Sequence, residues 1–319
     1  MKVAIFGGTG FVGSYLVDEL VAHNITPRLL VRPGHAGRAI HPDACEHVAG
    51  DLADPDAIGS TLSDTDAVIY NVGILRENRC AGATFEEMHF KAARRVMDAA
   101  ERLGIKRFLL MSANGVRADG TAYQRTKHLA EAYLKGTQLD WTIVQPSVIF
   151  GDPRGRMELA TQLYADIIRS PLPAPLFFPG LSIGQAGAFR MSPVAVSNVA
   201  EAFRIALQDD TTIGETLQLG GPEDLSWRTI LTRIAAAADI DKLMLPVPAM
   251  GVSAVAALFE RYERFPITRA QIQMLLEGNV CSSDVLHRFG IEPVAFDVHS
   301  LAYLNSRGQD KRTWHKSAA

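Results

Sequence analysis

Short apolar runs recur along the first half of the chain, and between them apolar positions fall at helical spacing. The runs at 3–6, 28–31, 46–49, 67–70, 108–111 and 142–144 are β-branched or aliphatic with little polar alternation, the pattern of strands buried on both faces. The intervening spacing predicts helices over 11–23, 84–103 and 123–135. The clearest is 84–103: Thr84 can cap it, Glu87 stands three residues on to close a capping box, and Gly104 follows as a stop. Strands alternating with helices predict an α/β fold, a doubly wound parallel sheet with right-handed crossovers and helices on both sides. Ligands bind such sheets outside the carboxyl ends of the strands, near the point where strand order reverses.

Beyond residue 151 the alternation loosens. A helix is predicted over 157–169, and prolines at 171, 173, 175 and 179 predict a rigid irregular connection over 170–179. Further helices are predicted over 194–207 and from a Ser226 cap to 238. The organisation expected is a sheet domain over 1–151, a smaller, mainly helical C-terminal lobe over 152–305 interleaved with the end of the sheet, and a polar tail over 306–319. In that tail Arg307, Lys311, Arg312 and Lys316 read as a solvated end rather than a binding patch.

Composition narrows the classes. Of 319 residues 47% are apolar and 21% charged, as in soluble globular proteins, and a net charge of −3 gives no whole-protein argument for nucleic acid. No apolar stretch reaches the ~18 residues of a membrane span, and no charged-then-apolar leader precedes the first strand. Cys45, Cys80 and Cys281 lack CxxC spacing and read as reduced thiols of a cytoplasmic protein. The nine histidines form no HxxxH pair with a carboxylate partner, so no metal site is expected. Neither GxSxG nor GxxxxGK[ST] occurs, which argues against serine hydrolases and P-loop enzymes.

The first strand runs straight into Gly7-x-x-Gly10-x-x-Gly13, and a helix begins at once. That strand–turn–helix is suited to a dinucleotide diphosphate. Gly7 turns the chain off the strand, Gly10 lets backbone approach phosphate, and Gly13 lets the helix lie close to the strand. Thr9, Phe11 and Val12 complete the loop, whose N–H groups and helix dipole favour an anion.

Tyr123-Gln-Arg-Thr-Lys127 places a phenol and an ammonium four apart on one helix face. A free tyrosine has a pKa near 10. A lysine one turn away, together with an oxidised nicotinamide, would favour the phenolate and let Tyr123 exchange a proton with a substrate oxygen while a hydride moves. Lys127 can also hold the nicotinamide ribose. Ser112 ends the fifth strand, where its hydroxyl either orients a substrate carbonyl or simply closes the strand. Pro146 and Val148, after the sixth strand, either line the nicotinamide or form a plain turn.

At the end of the second strand, where a free 2′-hydroxyl usually meets Asp or Glu, this chain has Arg32, with Arg38 further on. Arginine can hold a 2′-phosphate, which favours NADP(H) over NAD(H). Asp51 and Leu52 follow the third strand and can meet the adenine edge; Val72 and Gly73 follow the fourth and allow backbone close to the adenosine ribose.

Taken together, Gly7-Gly-Thr-Gly-Phe-Val-Gly13, Asp51-Leu52, Ser112, Tyr123-x-x-x-Lys127 and Pro146-Ser-Val-Ile-Phe-Gly151 resemble the extended or atypical short-chain dehydrogenase/reductase superfamily, of the NAD-dependent epimerase/dehydratase kind. The segments at 123–131, 141–151 and 265–275 are most similar to the group that includes the nucleotide-binding accessory subunit of respiratory complex I. The resemblance implies a Rossmann-type sheet, bound NAD(P)(H), and a tyrosine–lysine pair beside the nicotinamide. Two departures stand out. Ser112 and Tyr123 are only 11 positions apart, and Asn198 occupies a position that is usually acidic. Two functions follow as expectations. One is an NADP(H)-dependent oxidoreductase, epimerase or dehydratase acting through Tyr123 and Lys127 on a small-molecule substrate. The alternative is a non-catalytic, cofactor-holding accessory or assembly protein of a respiratory or other membrane complex, peripheral at the inner membrane. The apolar stretch 245–259 would serve the second, unless it packs within the small lobe.

Overall fold

The computed structural model describes residues 1–35, 37, 40–249 and 269–306. Arg38, the 250–259 part of the apolar stretch, and Arg307, Lys311, Arg312 and Lys316 of the tail lie outside the described residues. Two compact units emerge. The first comprises Met1–Pro146, Val196–Leu219 and Ser283–Glu292; the second comprises Ser147–Ala195, Gly220–Ser282 and Pro293–Ala319.

The first unit contains β1 (Lys2–Phe6), α1 (Phe11–Ala22), β2 (Thr26–Val31), β3 (Glu46–Ala49), α2 (Pro55–Leu62), β4 (Ala67–Tyr70), α3 (Ala92–Arg102), β5 (Arg107–Met111), α4 (Ala122–Lys135) and β6 (Asp140–Pro146). It also takes α6 (Val196–Gln208) and β11 (Glu215–Leu219) from later in the chain. Seven strands form one parallel sheet in the order β3-β2-β1-β4-β5-β6-β11. Successive side chains alternate between its faces. Ala4, Phe6, Leu30, Val68, Tyr70, Phe108, Leu110 and Ile143 pack with apolar residues of α2, α3 and α4 on one side. The intervening Val3, Ile5, Leu29, Ile69, Leu109 and Val144 are buried as well. Both faces are therefore covered, which is why the strands read as continuous apolar runs. Strand order reverses between β1 and β4, so the chain segments leaving those two strands border the crevice where such sheets take ligands.

The helix expected over 84–103 begins differently from its sequence signature. Thr84 Oγ1 accepts from the Glu87 N–H at 3.1 Å. The Glu87 carboxylate, however, accepts from Arg95 Nη2 at 2.5 Å instead of turning back to close the box. The segment then runs as a π-helix over Glu86–Lys91 before continuing as α3. Gly104, at φ +74°, ends it as expected. The full capping box lies instead at α4, where Thr121 Oγ1 accepts from Gln124 N–H and Gln124 Oε1 accepts from Thr121 N–H at 2.8 Å.

The second unit contains β7 (Ile149–Phe150), α5 (Leu159–Leu163), β8 (Ala174–Phe178), β9 (Arg190–Met191), β10 (Val194–Ala195), β12 (Leu225–Ser226), α7 (Trp227–Ala237) and β13 (Met244–Pro248). Its core gathers around the buried Trp227, whose Nε1–H donates to Pro175 O at 2.9 Å. Three short ladders, β10 with β7, β12 with β9, and β13 with β8, accompany its helices. Three expectations are corrected here. Residues 170–179 are not irregular throughout: β8 pairs in parallel with β13 despite its proline. Ala174 N–H donates to Leu243 O at 2.8 Å, so the adjacent Pro175 nitrogen points away from the partner strand, where no donor is needed. Val194 and Ala195 form β10, so the helix that follows starts at Val196. The helix expected over 157–169 is α5 followed by a π-helical turn, Tyr164–Ile168. Among the described residues no helix is long and apolar enough to cross a membrane.

In the first unit a buried guanidinium ties the late strands together. Arg107 donates to Asp140 O at 2.8 Å, to Thr212 Oγ1 at 2.8 Å, and to Ala206 O. Replacing it with methionine removes these donors from Asp140 O, Ala206 O and Thr212 Oγ1. Arg107→Met should lower unfolding free energy by about 3 kcal/mol, measured by urea denaturation.

Candidate functional site

The glycine loop is built on close backbone approach. A Cβ on Gly13 would lie 2.1 Å from Gly7 O, and one on Gly7, which sits at φ +93°, would lie 2.7 Å from Asn71 O. Gly10 N–H donates to Gly7 O at 3.1 Å, closing the turn that starts α1. Helix α1 spans 12 residues with no side-chain cap and no acidic residue in its first turn. Its first N–H groups, at Phe11, Val12 and Gly13, have no carbonyl one turn behind them. This cradle, at a helix end with no side-chain cap and no acidic residue in its first turn, fits a diphosphate. Thr9 lies in the loop, half-exposed.

From that loop the structure leads to the phenol by successive contacts. Gly7 lies against Asn71 and Val72 at the exit of β4. Gly73 follows, and a Cβ there would lie 3.7 Å from Lys127 Nζ. Lys127 is buried, donates to Met111 O at 3.0 Å, and stands 5.9 Å from the centre of the Tyr123 ring. Met111 is followed by Ser112, whose N–H donates to Val144 O at 2.8 Å and whose buried Oγ has no hydrogen-bond partner among the described residues. Among the described residues the ammonium's three donors have one acceptor, Met111 O, whose neighbour Ser112 carries the unpartnered hydroxyl, and such polar capacity suits oxygen atoms of a ligand.

Three further residues complete this cluster. His89 is 2% exposed. It stacks on Phe85 with ring centres 5.4 Å apart and meets Tyr123 edge-on at 5.2 Å. Phe85 also meets Tyr123 edge-on, at 5.8 Å. Glu131, buried one turn beyond Lys127 on α4, accepts from Gln145 Nε2 at 2.8 Å. Sequence reasoning missed His89, Phe85 and Glu131. The signals were present: Phe85 and His89 stand four apart on a helix, and Glu131 continues the Tyr123–Lys127 spacing.

Desolvation dominates the electrostatics. Burial pushes the Lys127 ammonium down to about 8, opposed by the Glu131 carboxylate. Burial pushes the Tyr123 phenol up to about 12. Burial is the one cause resolved for that shift, and at neutral pH Tyr123 carries its proton. Burial, with the nearby Lys127 charge, pushes His89 down to about 3.

The remaining predicted residues stand as follows. Arg32 is exposed at the end of β2 and makes no ion pair among the described residues. Asp51 is exposed, its carboxylate accepting from Ala53 N–H at 2.9 Å, and Leu52 O accepts from Arg95 Nε at 2.9 Å. Pro146 ends β6, its carbonyl accepting from Asn114 N–H at 2.9 Å. Val148 belongs to the second unit and is half-buried. Asn198 donates to Glu292 O at 3.0 Å, so its amide anchors backbone within the first unit. Among the described residues no cluster of three His, Cys, Asp or Glu is arranged for a metal.

Residues 7–166 match the family described as NAD(P)H-binding. The NADH-ubiquinone oxidoreductase 40 kDa subunit, mitochondrial, of Neurospora crassa is 24% identical over 316 residues, covering 95% of this chain and 78% of that protein. The ceramide reductase of Caulobacter vibrioides is 30% identical over 154 residues, covering 47% of this chain and 46% of that protein. Among solved structures, the Thermus thermophilus UDP-glucose 4-epimerase in complex with NAD superposes with a TM-score of 0.69 at 20% identity, covering 97% of this chain and all of that one. That likeness shows the fold, a parallel sheet covered by helices on both faces, shared with that epimerase.

An unfolded chain protonates His89 below its ordinary 6.5, whereas the native ring resists protonation down to about 3. Stability should therefore fall as pH drops through that window, by about 2 kcal/mol from this residue between pH 7 and pH 5. Comparing denaturant midpoints of wild type and His89→Gln at the two pH values isolates the effect, because the variant should lose that part of the slope.

Proposed function

The chain belongs to the NAD(P)H-binding family, and from that premise we propose that it is an NADP(H)-dependent reductase in which Tyr123 gives a proton to a substrate carbonyl oxygen. One observation carries this reading: a phenol that keeps its proton at neutral pH stands one helical turn from a buried ammonium anchored to the end of β5. Gly7, Gly10, Gly13 and the N–H groups of Phe11 and Val12, with Thr9 beside them, would hold the diphosphate. Arg32 would hold a 2′-phosphate, Asp51 and Leu52 the adenine edge, Val72 and Gly73 the adenosine ribose. Lys127 would hold the nicotinamide ribose, with Pro146 near the ring. When bound, the reduced dinucleotide supplies the hydride that a carbonyl carbon accepts.

The chain's own groups handle the proton. Tyr123 Oη donates to the carbonyl oxygen as the carbon is reduced, so the product is an alcohol and the phenol becomes a phenolate. Lys127 stabilises that charge through space, and Glu131 in turn supports the ammonium. Ser112 Oγ, with no other partner, is available to orient the substrate oxygen. Run in reverse, the same groups oxidise an alcohol.

A second reading is a cofactor-holding accessory protein of a membrane-associated respiratory complex. It is favoured by the Neurospora relative, named as a subunit of NADH-ubiquinone oxidoreductase, whose likeness extends over 95% of this chain. The two readings separate on turnover. With NADPH and a panel of ketones, quinones and aldehydes, Tyr123→Phe should lower kcat by about a hundredfold or more while leaving NADPH affinity within a few fold. Equal turnover in wild type and variant would end the role given to Tyr123, and no turnover in either alongside tight cofactor binding would favour the accessory reading.

Cofactor choice and pH give two further tests. Arg32→Ala should weaken NADPH binding by about tenfold and leave NADH binding unchanged, read by calorimetric titration. Lys127 is charged below about 8 and neutral above it, so NADPH affinity should decline as pH rises through that value. Lys127→Gln should bind more weakly and flatten the profile.

A further inference from the structure

We infer that His89 is a positioning residue for the Tyr123–Lys127 pair: its imidazole braces the exit of β4 against the first turn of α4 and holds the phenol ring edge-on. The inference rests on Tyr123 being the proton donor. Three contacts made by one buried ring support it. Ile74 N–H donates to His89 Nε2 at 3.0 Å. His89 Nδ1 lies 3.2 Å from Thr126 Oγ1. The ring edge meets Tyr123 with centres 5.2 Å apart at an interplanar angle of 88°.

The partners settle which nitrogen carries the proton. Ile74 N–H is a donor, so Nε2 must be an acceptor. Thr126 Oγ1 donates its proton back along α4, to Ala122 O at 2.9 Å or Tyr123 O at 3.1 Å. It therefore accepts from Nδ1–H. Both ring nitrogens are committed, and a second proton on Nε2 would break the bond to Ile74. The groups facing the ring agree with a neutral imidazole: Tyr123, Thr126 and the Lys127 cation on α4, the Gly73–Ile74 backbone after β4, and Phe85 one turn back on its own helix. No carboxylate is among them.

The brace spans the two chain segments that the proposed chemistry needs at fixed separation. On one side is the backbone at Gly73, close to Lys127 Nζ. On the other is the helical turn that carries Tyr123 and Lys127. Helical widening over Glu86–Lys91 places His89 in the gap, in keeping with the frequent occurrence of π-helical turns at functional sites. A phenylalanine would fill the same space and stack on Phe85, yet it would leave Ile74 N–H without its acceptor. Glutamine can offer an acceptor to Ile74 and a donor to Thr126.

The first test is nitrogen-15 NMR of the wild-type chain. The expected spectrum shows His89 with Nδ1 protonated and Nε2 bare, unchanged from pH 5 to pH 8. A ring that titrates in that range, or carries its proton on Nε2, overturns the inference whatever the cofactor does. The second test compares His89→Phe and His89→Gln. His89→Phe should move the ultraviolet titration of the Tyr123 phenol, isolated by subtracting Tyr123→Phe, and lower kcat about tenfold with a smaller change in KM. His89→Gln should restore both readouts to within about threefold. A His89→Phe chain whose phenol titration and kinetics match wild type overturns the inference. Absence of NADPH and NADH binding by wild type would instead overturn the reductase reading, and the ring spectrum would still decide whether the brace exists.

Discussion

The first unit depends on how near α1 is allowed to come to β1. The Gly13 Cα lies where any side chain would run into the Gly7 carbonyl, at 2.1 Å for a Cβ. That approach brings the helix onto the sheet and aims its free N–H groups across the strand ends. It also presses Gly7 against Asn71, so the exits of β1 and β4 are held together at the reversal of strand order. Each later part of the candidate site refers back to that junction: Gly73 continues from it, Lys127 reaches Gly73, and Tyr123 stands beside Lys127.

Removal of water is the largest cause moving Tyr123, Lys127 and His89 toward their uncharged forms, joined at His89 by the Lys127 charge. The phenol rises, the ammonium falls, and the imidazole falls furthest. Glu131 opposes this at Lys127, and Gln145 fixes Glu131 by a hydrogen bond from β6. The cluster is thus a graded set: a neutral ring that does not titrate in the working range, a cation close to losing its proton, and a phenol that holds its own. Such grading is what separates a proton donor from the groups that orient it.

Much of this was legible in the amino-acid sequence because it is local. Strands buried on both faces announce themselves as apolar runs, and six of the seven sheet strands follow from that pattern, β3 and β4 at their expected bounds and the others with ends shifted by at most two residues. Glycine spacing marked the loop because steric exclusion is absolute, and Tyr123 and Lys127 were visible because four residues make one helical turn. What could not be read depends on partners distant in the chain. Glu87 looked like half of a capping box until Arg95 offered a stronger pairing. The strand at 174–178 was hidden by Pro175 and the prolines on either side of the strand, because whether a missing N–H matters depends on which edge it faces. His89 showed only its helical spacing from Phe85, and its role comes from Ile74 on one side and Thr126 on the other.

The same prolines have a consequence for how this molecule meets copies of itself. The β8–β13 ladder has two outward edges, and an open parallel ladder invites a further strand to dock by its main chain. With Ala174 N–H directed inward to Leu243 O, alternation turns residue 175 outward on β8 and residues 246 and 248 outward on β13. All three are proline. Pro246 and Pro248 thin the donors along the outer rim of β13, and on β8 the outward carbonyls of Pro175 and Phe177 already accept from Trp227 Nε1 and Gly187 N–H, so both rims offer an incoming strand little to pair with.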